Sequence, residues 1–352
     1  MKYGTDRSAE MLVQVEQAIS QKKPIGIVGG QSKISSSQLE GLSLVDTTGH
    51  EGIVEYHPTE LTLTARTGTR LSDISELLSE QGQYLPFESP EHGGRATLGG
   101  TIATGAAGPR RPWSGSVSDH VLGCRIISGG GKLLRFGGQV MKNVAGYDVS
   151  RLMTGSYGCL GLMTEISLKV MPKPSDSITL QLDMSRSQGL DAFAQWRKQG
   201  IPISALMHDG SQLFLRIEGS EDTVSTTRRQ IGGQVASADT WNKLREKQLD
   251  FFQRDQTLWR LSLPMGTLLS SLPGPALMDW AGAQWWIKTD ASVEKMQGLA
   301  ASLGGHAVGY PINKEPTIRQ APHASIMQLN KRLKAQLDPM QLFNPGMLYA
   351  GL

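Results

Sequence analysis

Cysteine is scarce in this 352-residue chain. Its two cysteines, Cys124 and Cys159, lie far apart in the sequence, and each falls within an apolar run typical of a strand. No Cys-x-x-Cys pair occurs, so the chain cannot by itself ligate an iron–sulfur cluster or a thiolate-bound zinc ion. Both thiols are therefore predicted to be small core residues rather than metal ligands or partners in a disulfide.

An excess of one charge is also missing, because 35 Lys and Arg residues nearly balance 32 Asp and Glu residues, for a net charge of +3. The basic residues are scattered, and the Arg110-Arg111 pair is too small to indicate a nucleic-acid-binding face. No apolar run approaches the ~18 residues of a membrane-spanning helix, and the polar N-terminal segment does not resemble a signal peptide. We expect a cytoplasmic protein of ordinary globular composition, long enough for about two domains.

Familiar catalytic signatures are absent as well. The sequence has no Gly-x-Ser-x-Gly or His-Glu-x-x-His motif. It also lacks a Walker loop and a Gly-x-Gly-x-x-Gly run at the start of a helix. The histidines show no metal-binding spacing, so each is predicted to be structural or solvent-exposed. They are His50, His57, His92, His120, His208, His306 and His323.

Glycine, by contrast, is abundant and is concentrated between residues 93 and 122 (GGRATLGGTIATGAAGPRRPWSGSVSDHVL). This stretch has few bulky apolar side chains and cannot fill a core. Glycine lets the backbone come close to another group, and consecutive N–H groups directed into one concavity bind anions such as a diphosphate. The interspersed Thr97, Thr101 and Thr104 favour an ordered cofactor-binding loop over the alternative, a mobile surface loop.

The N-terminal half alternates short strands, helices and turns. Residues 24–30 predict an apolar strand that opens into the loop GGQSK, which is a weak phosphate-loop signal on its own. A helix is predicted within 68–86, with Thr69 as its N-cap and Gly82 beyond its C-terminus. Two strands between 121 and 136 are predicted to form a hairpin around a run of three glycines.

From Ser175 onward glycine becomes less frequent, and strand and helix patterns alternate. This indicates an antiparallel α+β module of the split βαβ kind, with one of its helices over 240–252. The Pro-Lys-Pro sequence at 172–174 marks the boundary before this module, because proline ends regular strand pairing. A helix at 322–337 and a proline-bounded turn cluster at 338–346 (DPMQLFNPG) close the chain.

Several segments in fixed order carry a family resemblance: IVGGQSK, GQYLPFESP, LGGTIATGAAG with GSVSDHVLG, AGYDVSRLMTGSYGCLGLMTEISLKVMPKP, and the closing DPMQLFNPG. Through them the sequence resembles the FAD-binding fold shared by vanillyl-alcohol oxidase and p-cresol methylhydroxylase (PCMH). The resemblance implies an α+β protein with a PCMH-type FAD-binding domain of two α+β subdomains at 1–174. It further implies an antiparallel α+β cap domain at 175–321, and a C-terminal helix and tail at 322–352 that return to the FAD domain.

The resemblance also implies cofactor-binding residues, position by position, and no catalytic residue. The loop after the first strand is expected to form the first pyrophosphate site, and the glycine-rich centre to pass along FAD toward the flavin ring. Ile166 is expected at the adenine end, and Asn344 near the flavin. The full expected set is Gly29, Gly30, Gln31, Ser32, Lys33, Thr97, Gly99, Gly100, Ala103, Thr104, Gly105, Gly115, Ser116, Asp119, Gly158, Gly161, Ile166 and Asn344.

Three departures from the family pattern lead to further expectations. Members that bind flavin covalently through the first loop carry His where this chain has Gln31, so non-covalent FAD is expected. Gly105 replaces a common Asn and Tyr157 replaces the Glu of a GSEG motif, so we expect fewer polar contacts to the flavin and a lower affinity. Relatives that oxidise 2-hydroxy acids carry a GHxGDGNxH-like metal motif, whereas GGHAVGYPINK (304–314) offers only His306, so no metal site is expected.

Within this family, the segment KNVAGYDVSRLMTGSYGCLG and the chain length resemble FAD-binding subunits of complexes that oxidise glycolate. That resemblance implies electron transfer from a small 2-hydroxy acid, glycolate or D-lactate, through FAD to an iron–sulfur partner. A larger, homologous FAD-binding subunit is the second expected partner, and the complex is expected in the cytoplasm or peripherally at the inner face of the membrane.

Two alternatives stay open at this point. One is an assembly subunit whose FAD is structural or vestigial, and the other is a self-contained FAD-dependent oxidase of a sugar or aldonolactone. Arg319 and His323 precede the last helix and are candidates for binding a substrate carboxylate, because Arg suits bidentate capture. A solvated role is nevertheless favoured for both residues.

Overall fold

The computed structural model describes residues 4–138, 148–253, 255–312 and 316–352. It falls into two units, the first formed by 1–107, 115–172 and 321–352, and the second by 108–114 and 173–320. Most of the KNVAGYD segment, and the end of GGHAVGYPINK, lie outside the described residues. The domain boundaries expected at 174 and 321 stay predictions. The division into units given above also assigns residues 108–114 to the second unit.

Helices and strands are numbered along the chain. The helices are α1 (Ser8–Gln21), α2 (Leu71–Glu80), α3 (Leu98–Thr104), α4 (Arg111–Ser114), α5 (Val149–Met153), α6 (Arg186–Lys198), α7 (Glu221–Ile231), α8 (Asp239–Glu246), α9 (Val293–Ser302) and α10 (Ala324–Leu337). The strands are β1 (Ile25–Val28), β2 (Ser43–Asp46), β3 (Ile53–His57), β4 (Thr62–Arg66), β5 (Gln83–Tyr84), β6 (Val121–Ile127), β7 (Leu133–Gly137), β8 (Leu162–Lys169), β9 (Met171–Pro172), β10 (Asp176–Leu182), β11 (Ile203–His208), β12 (Leu213–Gly219), β13 (Gln234–Val235), β14 (Leu258–Ser262), β15 (Ala276–Asp279), β16 (Gln284–Lys288), β17 (His306–Tyr310) and β18 (Ile318–Arg319). None of the helices in the described ranges combines the length and apolarity needed to cross a bilayer.

The first unit is built around a five-stranded antiparallel sheet in the order β3-β4-β8-β6-β7. Its middle strand, β8, is buried along nearly its whole length. Ile74 and Leu78 of α2 are fully buried in the same core, so this helix places its apolar face on the sheet. The predicted hairpin is confirmed as β6 and β7, paired from Gly123 opposite Gly137 to Ile127 opposite Leu133.

The glycine-rich centre contains a helix that the sequence did not predict. α3 begins where the hydroxyl of Thr97 accepts a hydrogen bond from the N–H of Gly100 (3.3 Å), and it ends at Gly105, whose φ of 60° is left-handed. Glycine is a poor helix former, but Leu98 and Ile102 are fully buried and hold this short helix by tertiary packing. The prediction of a loop was wrong because packing overrides local propensity here.

Two further local predictions were wrong. Thr69 does not cap α2, because its hydroxyl accepts from the N–H of Gly52 (2.9 Å) and Arg70 occupies the N-cap position. The helix expected over 240–252 ends at Glu246, where Lys247 takes a left-handed φ of 57° and the chain turns. Strand β15 was missed, because its four residues are too short and too apolar to show the alternation typical of a strand.

Both cysteines are free and buried, which confirms that they are core residues. Burial raises the pKa of the Cys124 thiol to about 11. Burial also raises the pKa of Cys159, whose thiol donates to the carbonyl oxygen of Ser156 at 2.6 Å. Neither thiol is therefore available as a thiolate nucleophile near neutral pH.

The C-terminal helix and tail are fastened to the first unit by a buried ion pair. Lys334, 3% exposed, donates to the carboxylate of Asp338 (2.8 Å) and to the carbonyl oxygens of Cys159 (2.7 Å) and Phe343 (2.8 Å). The Asp338 carboxylate in turn accepts from the N–H groups of Leu342 and Phe343. These bonds fix the tail against the loop that contains Cys159.

The second unit is a nine-stranded sheet in the order β13-β10-β12-β11-β15-β16-β14-β17-β18, with antiparallel pairing throughout the named pairs. Each face of the sheet carries its own apolar cluster, one around Trp259 and Trp285 and the other around Trp241 and Trp286. The predicted antiparallel α+β character is thus present in this unit. Most of its tryptophans are core residues.

The segment 108–114 packs onto the second unit through polar and aromatic contacts. Arg110 forms an ion pair with Glu218, and the indole N–H of Trp280 donates to the carbonyl oxygen of Gly108 (3.0 Å). Trp113 meets Phe193 edge-to-face at 6.2 Å. The glycine-rich stretch therefore supplies residues to both units.

Stability is expected to fall as the pH drops from 7.5 to 5.5, because of His50. This fully buried imidazole bonds through Nε2 to the carbonyl oxygen of Thr164 and accepts from the N–H of Arg7 at Nδ1, so it is held neutral. Burial lowers its pKa below the ordinary 6.5 of the unfolded chain. The unfolded state therefore binds the proton first, and stability present above about pH 6.5 is lost as the pH falls toward the folded-state pKa.

The measurement is the urea midpoint at the two pH values. His208 and His306 also have lowered pKa values and add to the wild-type slope, burial being the main cause for each. In His50→Gln the difference between the two pH values is expected to be smaller than in the wild type. The exposed His323 supplies the control, because Asn in its place keeps the N-cap of α10 and should leave the wild-type difference unchanged. An unchanged difference in His50→Gln would contradict this role.

Candidate cofactor-binding cleft

The first unit contains an open cleft, and the space of about 690 Å³ that it surrounds includes open solvent. Its walls come from the end of β1 with the loop after it, from α3, from residues 157–163 and from the C-terminal tail. Thirteen of the eighteen predicted residues line it: Gly29, Gly30, Gln31, Ser32, Lys33, Thr97, Gly99, Gly100, Ala103, Thr104, Gly158, Gly161 and Asn344.

The loop after β1 offers backbone donors to this cleft. In the part of the chain that the structure describes, the N–H groups of Gly29, Gly30, Gln31 and Ser32 make no hydrogen bond to any acceptor. Gln31 takes a left-handed φ of 47°, which turns the loop sharply and directs successive N–H groups to one side. Such a turn of free N–H groups is an anion nest, suited to phosphate oxygens.

The two glycines at the start of this loop are required by close backbone approach. A Cβ on Gly30 would lie 1.6 Å from the carbonyl oxygen of Arg95, and a Cβ on Gly29 would lie 2.6 Å from the hydroxyl oxygen of Thr97. No side chain other than hydrogen fits at Gly30 unless the backbone moves. The loop is thus packed directly against the segment that leads into α3.

The N-terminus of α3, in contrast, has no free donors in its first residues. The N–H groups of Leu98 and Gly99 donate to the carbonyl oxygens of Thr69 (2.9 Å) and Thr67 (2.8 Å). The N–H of Gly100 is used by its own N-cap. The N–H groups of Gly99 and Gly100 are therefore already engaged within the protein. Both glycines line the cleft, and their contribution is a low wall without side-chain bulk.

Asn344 connects two walls of the cleft. Its side-chain oxygen accepts from the N–H of Ile27 in β1 (2.7 Å), and its amide nitrogen donates to the carbonyl oxygen of Tyr157 (2.6 Å). Its own N–H donates to the carbonyl oxygen of Ile25 (2.9 Å). Asn344 is 2% exposed, so these bonds hold β1 and the 157–163 segment at a fixed separation.

Tyr157 and Gly158 form the opposite wall in an unusual backbone conformation. Both have a left-handed φ, 54° at Tyr157 and 74° at Gly158, and a Cβ on Gly158 would lie 2.7 Å from the amide nitrogen of Asn344. The N–H of Tyr157 donates to the carbonyl oxygen of Ala103 in α3 (2.8 Å). This aromatic residue in a left-handed conformation stores strain beside the cleft, which is held by the surrounding hydrogen bonds.

Five predicted residues do not line the cleft. Gly105 ends α3, and Gly115 lies against the side chain of Asp119. Ser116 and Asp119 bond to each other, with the Asp119 carboxylate accepting from the N–H (2.7 Å) and the hydroxyl (2.8 Å) of Ser116. Ile166 is fully buried inside the five-stranded sheet, paired with Ala65 and Cys124, so the structure does not place it at the cleft.

Several lining residues were not predicted from the sequence as cofactor contacts. They are Ile27, Val28, Ile34, Thr47, Thr67, Tyr157 and Met163. The hydroxyl of Thr47 donates to the carbonyl oxygen of Val28 (3.0 Å), and that of Thr67 donates to the carbonyl oxygen of Met163 (2.9 Å). Their bonding partners are remote in sequence, so no local pattern distinguishes these threonines from other strand threonines. Tyr157 alone had a signal, its position within the small-residue turn GSYG.

Comparison with known proteins identifies the family and the cofactor of this chain. Residues 7–137 match the family described as FAD binding domain. Across 348 residues, 99% of either chain, the protein is 48% identical to the glycolate oxidase subunit GlcE of Escherichia coli. The chain belongs to the GlcE family of FAD-binding proteins. FAD is therefore its cofactor, and it is a flavoprotein of the oxidoreductase class.

Other relatives match parts of the chain. The glycolate oxidase subunit GlcD of Bacillus subtilis is 34% identical over 41% of this chain and 30% of its own length. A D-lactate dehydrogenase of Anaerostipes hadrus is 33% identical over 60% of this chain and 41% of its own length. Among solved structures, an alkyldihydroxyacetonephosphate synthase superposes with a TM-score of 0.70, covering 97% of this chain and 76% of its own, at 16% identity. The predicted α+β fold with a PCMH-type FAD-binding domain is confirmed.

The residues of the cleft suit FAD. The free N–H groups of the loop after β1 provide donors for a diphosphate. The rest of the lining is largely apolar or made of hydroxyls, which suits the ring systems of the cofactor. Among the residues that the structure describes, no group of three or more His, Cys, Asp or Glu side chains is placed to hold a metal ion.

The two residues considered for carboxylate binding belong to different units. His323 is exposed at the N-cap of α10 in the first unit, where its ring accepts from the N–H of Ser325. Arg319 lies on β18 at the edge of the second unit's sheet, opposite Val308 of β17. His323 therefore has a structural role as a helix cap. Arg319 belongs to a basic face of the second unit's sheet, which is described in a later subsection.

Proposed function

We propose that the protein is the FAD-binding subunit of a complex that oxidises a small 2-hydroxy acid, glycolate or D-lactate. In this proposal the chain takes part in electron transfer through FAD to an iron–sulfur partner. The observation that carries it is the cleft of free N–H donors within a chain 48% identical over its length to a glycolate oxidase subunit. Similarity to a D-lactate dehydrogenase supports the same substrate class.

The cofactor is proposed to bind without a covalent bond. Gln31 occupies the tip of the loop after β1, and its amide is neither a nucleophile nor a base for attachment to a flavin ring. Both cysteines are buried, so they offer no thiolate for attachment. The acid-stable flavin of covalent flavoproteins is therefore not expected here.

Each wall of the cleft has a proposed task. When bound, FAD supplies the two-electron acceptor and the capacity to pass electrons on singly. The loop after β1 binds the diphosphate through the N–H groups of Gly30, Gln31 and Ser32. Asn344 fixes the distance between β1 and Tyr157, so that the walls orient the cofactor and exclude water from it.

Two partners are proposed, a larger homologous FAD-binding subunit and an iron–sulfur subunit. The name of the GlcE relative describes a subunit, which supports a hetero-oligomer. The sequence itself lacks the cysteine motifs for an iron–sulfur cluster, so that centre belongs to another chain. The similarity to GlcD over part of the chain supports two related flavin-binding subunits in one complex.

The test replaces the cofactor and leaves the protein unchanged. The chain is loaded with 5-deaza-FAD, which has the shape of FAD but does not transfer single electrons, and is reassembled with partner subunits that keep their own FAD. Glycolate-dependent reduction of a dye is expected to fall at least tenfold relative to the complex reassembled with FAD. Unchanged activity would mean that the FAD of this chain is structural, which would overturn the electron-transfer role.

A further inference from the structure

One face of the second unit's sheet gathers basic residues around a polar row. In the order β16-β14-β17-β18, Trp286 lies opposite Arg260, Arg260 opposite Val308, and Val308 opposite Arg319. Residues directly opposite in an antiparallel pair point to the same face. Arg260 and Arg319 therefore flank Val308 on that face, two strand spacings apart, or about 10 Å between backbones.

The next row along the strands is polar. Two residues from Arg260 on β14 lies Ser262, and directly opposite it on β17 lies His306. Because side chains alternate along a strand, Ser262 and His306 share the face of Arg260 and Arg319. An arginine, a hydroxyl and an imidazole are thus neighbours on one patch, here called the Arg260 face (Arg260, Ser262, His306 and Arg319).

Three polar side chains of this face, those of Arg260, Ser262 and His306, have hydrogen-bonding groups without an acceptor or donor among the described residues. The Nε of Arg260 is buried and has no acceptor among the described residues. Within the same described ranges, the hydroxyl of Ser262 and the ring of His306 make no hydrogen bond either. Arg66 and Arg186 also have an unpaired buried Nε, so this atom alone does not mark a site; at Arg260 it adds a donor beside the hydroxyl of Ser262 and the ring of His306.

Basic groups surround this face among the described residues. The carboxylate of Asp279, which the register places opposite Gln284, itself opposite Ser262, is already engaged, because it accepts from the N–H of Trp280 (2.7 Å) and from Gln284 (2.9 Å). Burial, reinforced by the guanidinium groups of Arg260 and Arg111, lowers the pKa of His306, so its imidazole is neutral. Burial alone would raise the pKa of Tyr310, but Arg260, Lys247 and Arg319 outweigh it and lower this pKa.

These features suit the binding of a small anion that carries a further oxygen next to its anionic group. The fork of an arginine matches a carboxylate in a bidentate arrangement, and a neutral imidazole with a hydroxyl can donate to or accept from an adjacent oxygen. We propose that the Arg260 face binds the carboxylate of a small 2-hydroxy or 2-oxo acid, with Arg260 on the carboxylate and Ser262 and His306 at the 2-oxygen. The choice of acid rests on the proposed function, whereas the anion site rests on the face itself.

The test is calorimetric titration of the full-length chain, free of FAD, with glycolate, acetate and inorganic phosphate in parallel. Saturable binding of glycolate is expected, at least tenfold tighter than that of acetate or phosphate. Arg260→Gln is expected to weaken glycolate binding at least tenfold, because the bidentate contact is lost. The matched control is Arg228→Gln, an exposed arginine on α7 of the same unit, which should bind glycolate as the wild type does.

A second variant guards against misfolding of Arg260→Gln. The side chain of His306 is accessible to solvent although its neighbours partly desolvate the ring, so His306→Glu places a carboxylate beside Arg260 without removing a core side chain, and glycolate binding should again fall at least tenfold. Wild-type affinity in both variants, or no saturable binding at all, would overturn the site. Phosphate binding as tight as glycolate would overturn the carboxylate assignment. FAD binding is titrated separately, so that failure of the cofactor role and failure of this site are read independently.

Discussion

Replacing Gly30 with alanine is expected to lower the affinity for FAD at least 100-fold, which corresponds to about 2.7 kcal/mol. The added Cβ would lie 1.6 Å from the carbonyl oxygen of Arg95, so the loop after β1 must shift. The N–H groups of Gln31 and Ser32 would then no longer point together at a diphosphate. Fluorescence titration of the FAD-free variant with FAD measures the loss.

Gly130→Ala is the matched control for this variant. Gly130 lies in a turn of the same unit, and its nearest atom to an added Cβ is the Ser128 hydroxyl oxygen at 3.8 Å, an ordinary contact. This control is expected to bind FAD with wild-type affinity and to unfold at the wild-type urea concentration. If Gly30→Ala retained wild-type affinity while folded, the diphosphate would not bind at this loop.

Replacing Lys334 with methionine is expected to destabilise the protein by about 3–5 kcal/mol, because it leaves a buried carboxylate without its cation. Asp338 is fully buried, and the Lys334 ammonium is its ion-pair partner and also bonds two carbonyl oxygens. Release of the tail would also free Asn344 from β1. FAD affinity is therefore expected to fall together with the free energy of unfolding.

Two companion variants separate charge from packing. Lys331→Met changes an exposed lysine of the same helix and is expected to alter stability by no more than about 0.5 kcal/mol. In the double variant Lys334→Met with Asp338→Asn, no buried charge remains, so part of the lost stability should return. A single variant as stable as the wild type in urea would show that the buried pair does not hold the tail.

The loop after β1 shows which features of the cleft can be predicted from sequence patterns. Glycines needed for close backbone approach are visible in the sequence, and thirteen predicted residues do line one cleft. Their individual tasks were less visible. Gly99 and Gly100 were expected along FAD, but the sequence does not show that the N–H of Gly99 donates to Thr67 and that the N–H of Gly100 donates to its own N-cap, Thr97. The glycines of the sequence indicate where the backbone approaches another group closely. Only the folded structure shows which backbone N–H groups have no acceptor within the protein.

Asn344 shows that hydrogen bonds between residues remote in sequence cannot be predicted from local patterns. Its contact with the N–H of Ile27 spans 317 positions in sequence, and no local pattern predicts which strand an asparagine will bond. The same holds for Thr47 and Thr67, whose hydroxyls bond to carbonyl oxygens brought near by the fold. The helix α3 was missed for a related reason, since buried Leu98 and Ile102, rather than propensity, stabilise it.

The Arg260 face extends this argument to the second unit. Arg260, His306 and Arg319 lie on three different strands, so no motif in the sequence joins them. Their proximity follows from the strand register, and the buried, unpaired Nε of Arg260 adds a donor there. Sites assembled across a sheet are predicted poorly from sequence, because cross-strand neighbours need not be close along the chain.

The most direct test of the central claim is the stoichiometry and retention of FAD. The FAD-free full-length chain is titrated with FAD by visible absorbance and is then precipitated with acid. One FAD per chain is expected, with all of the flavin released into the supernatant, since Gln31 offers no covalent attachment. No saturable binding would contradict the assignment of the cleft to FAD, and flavin retained in the pellet would contradict the non-covalent mode.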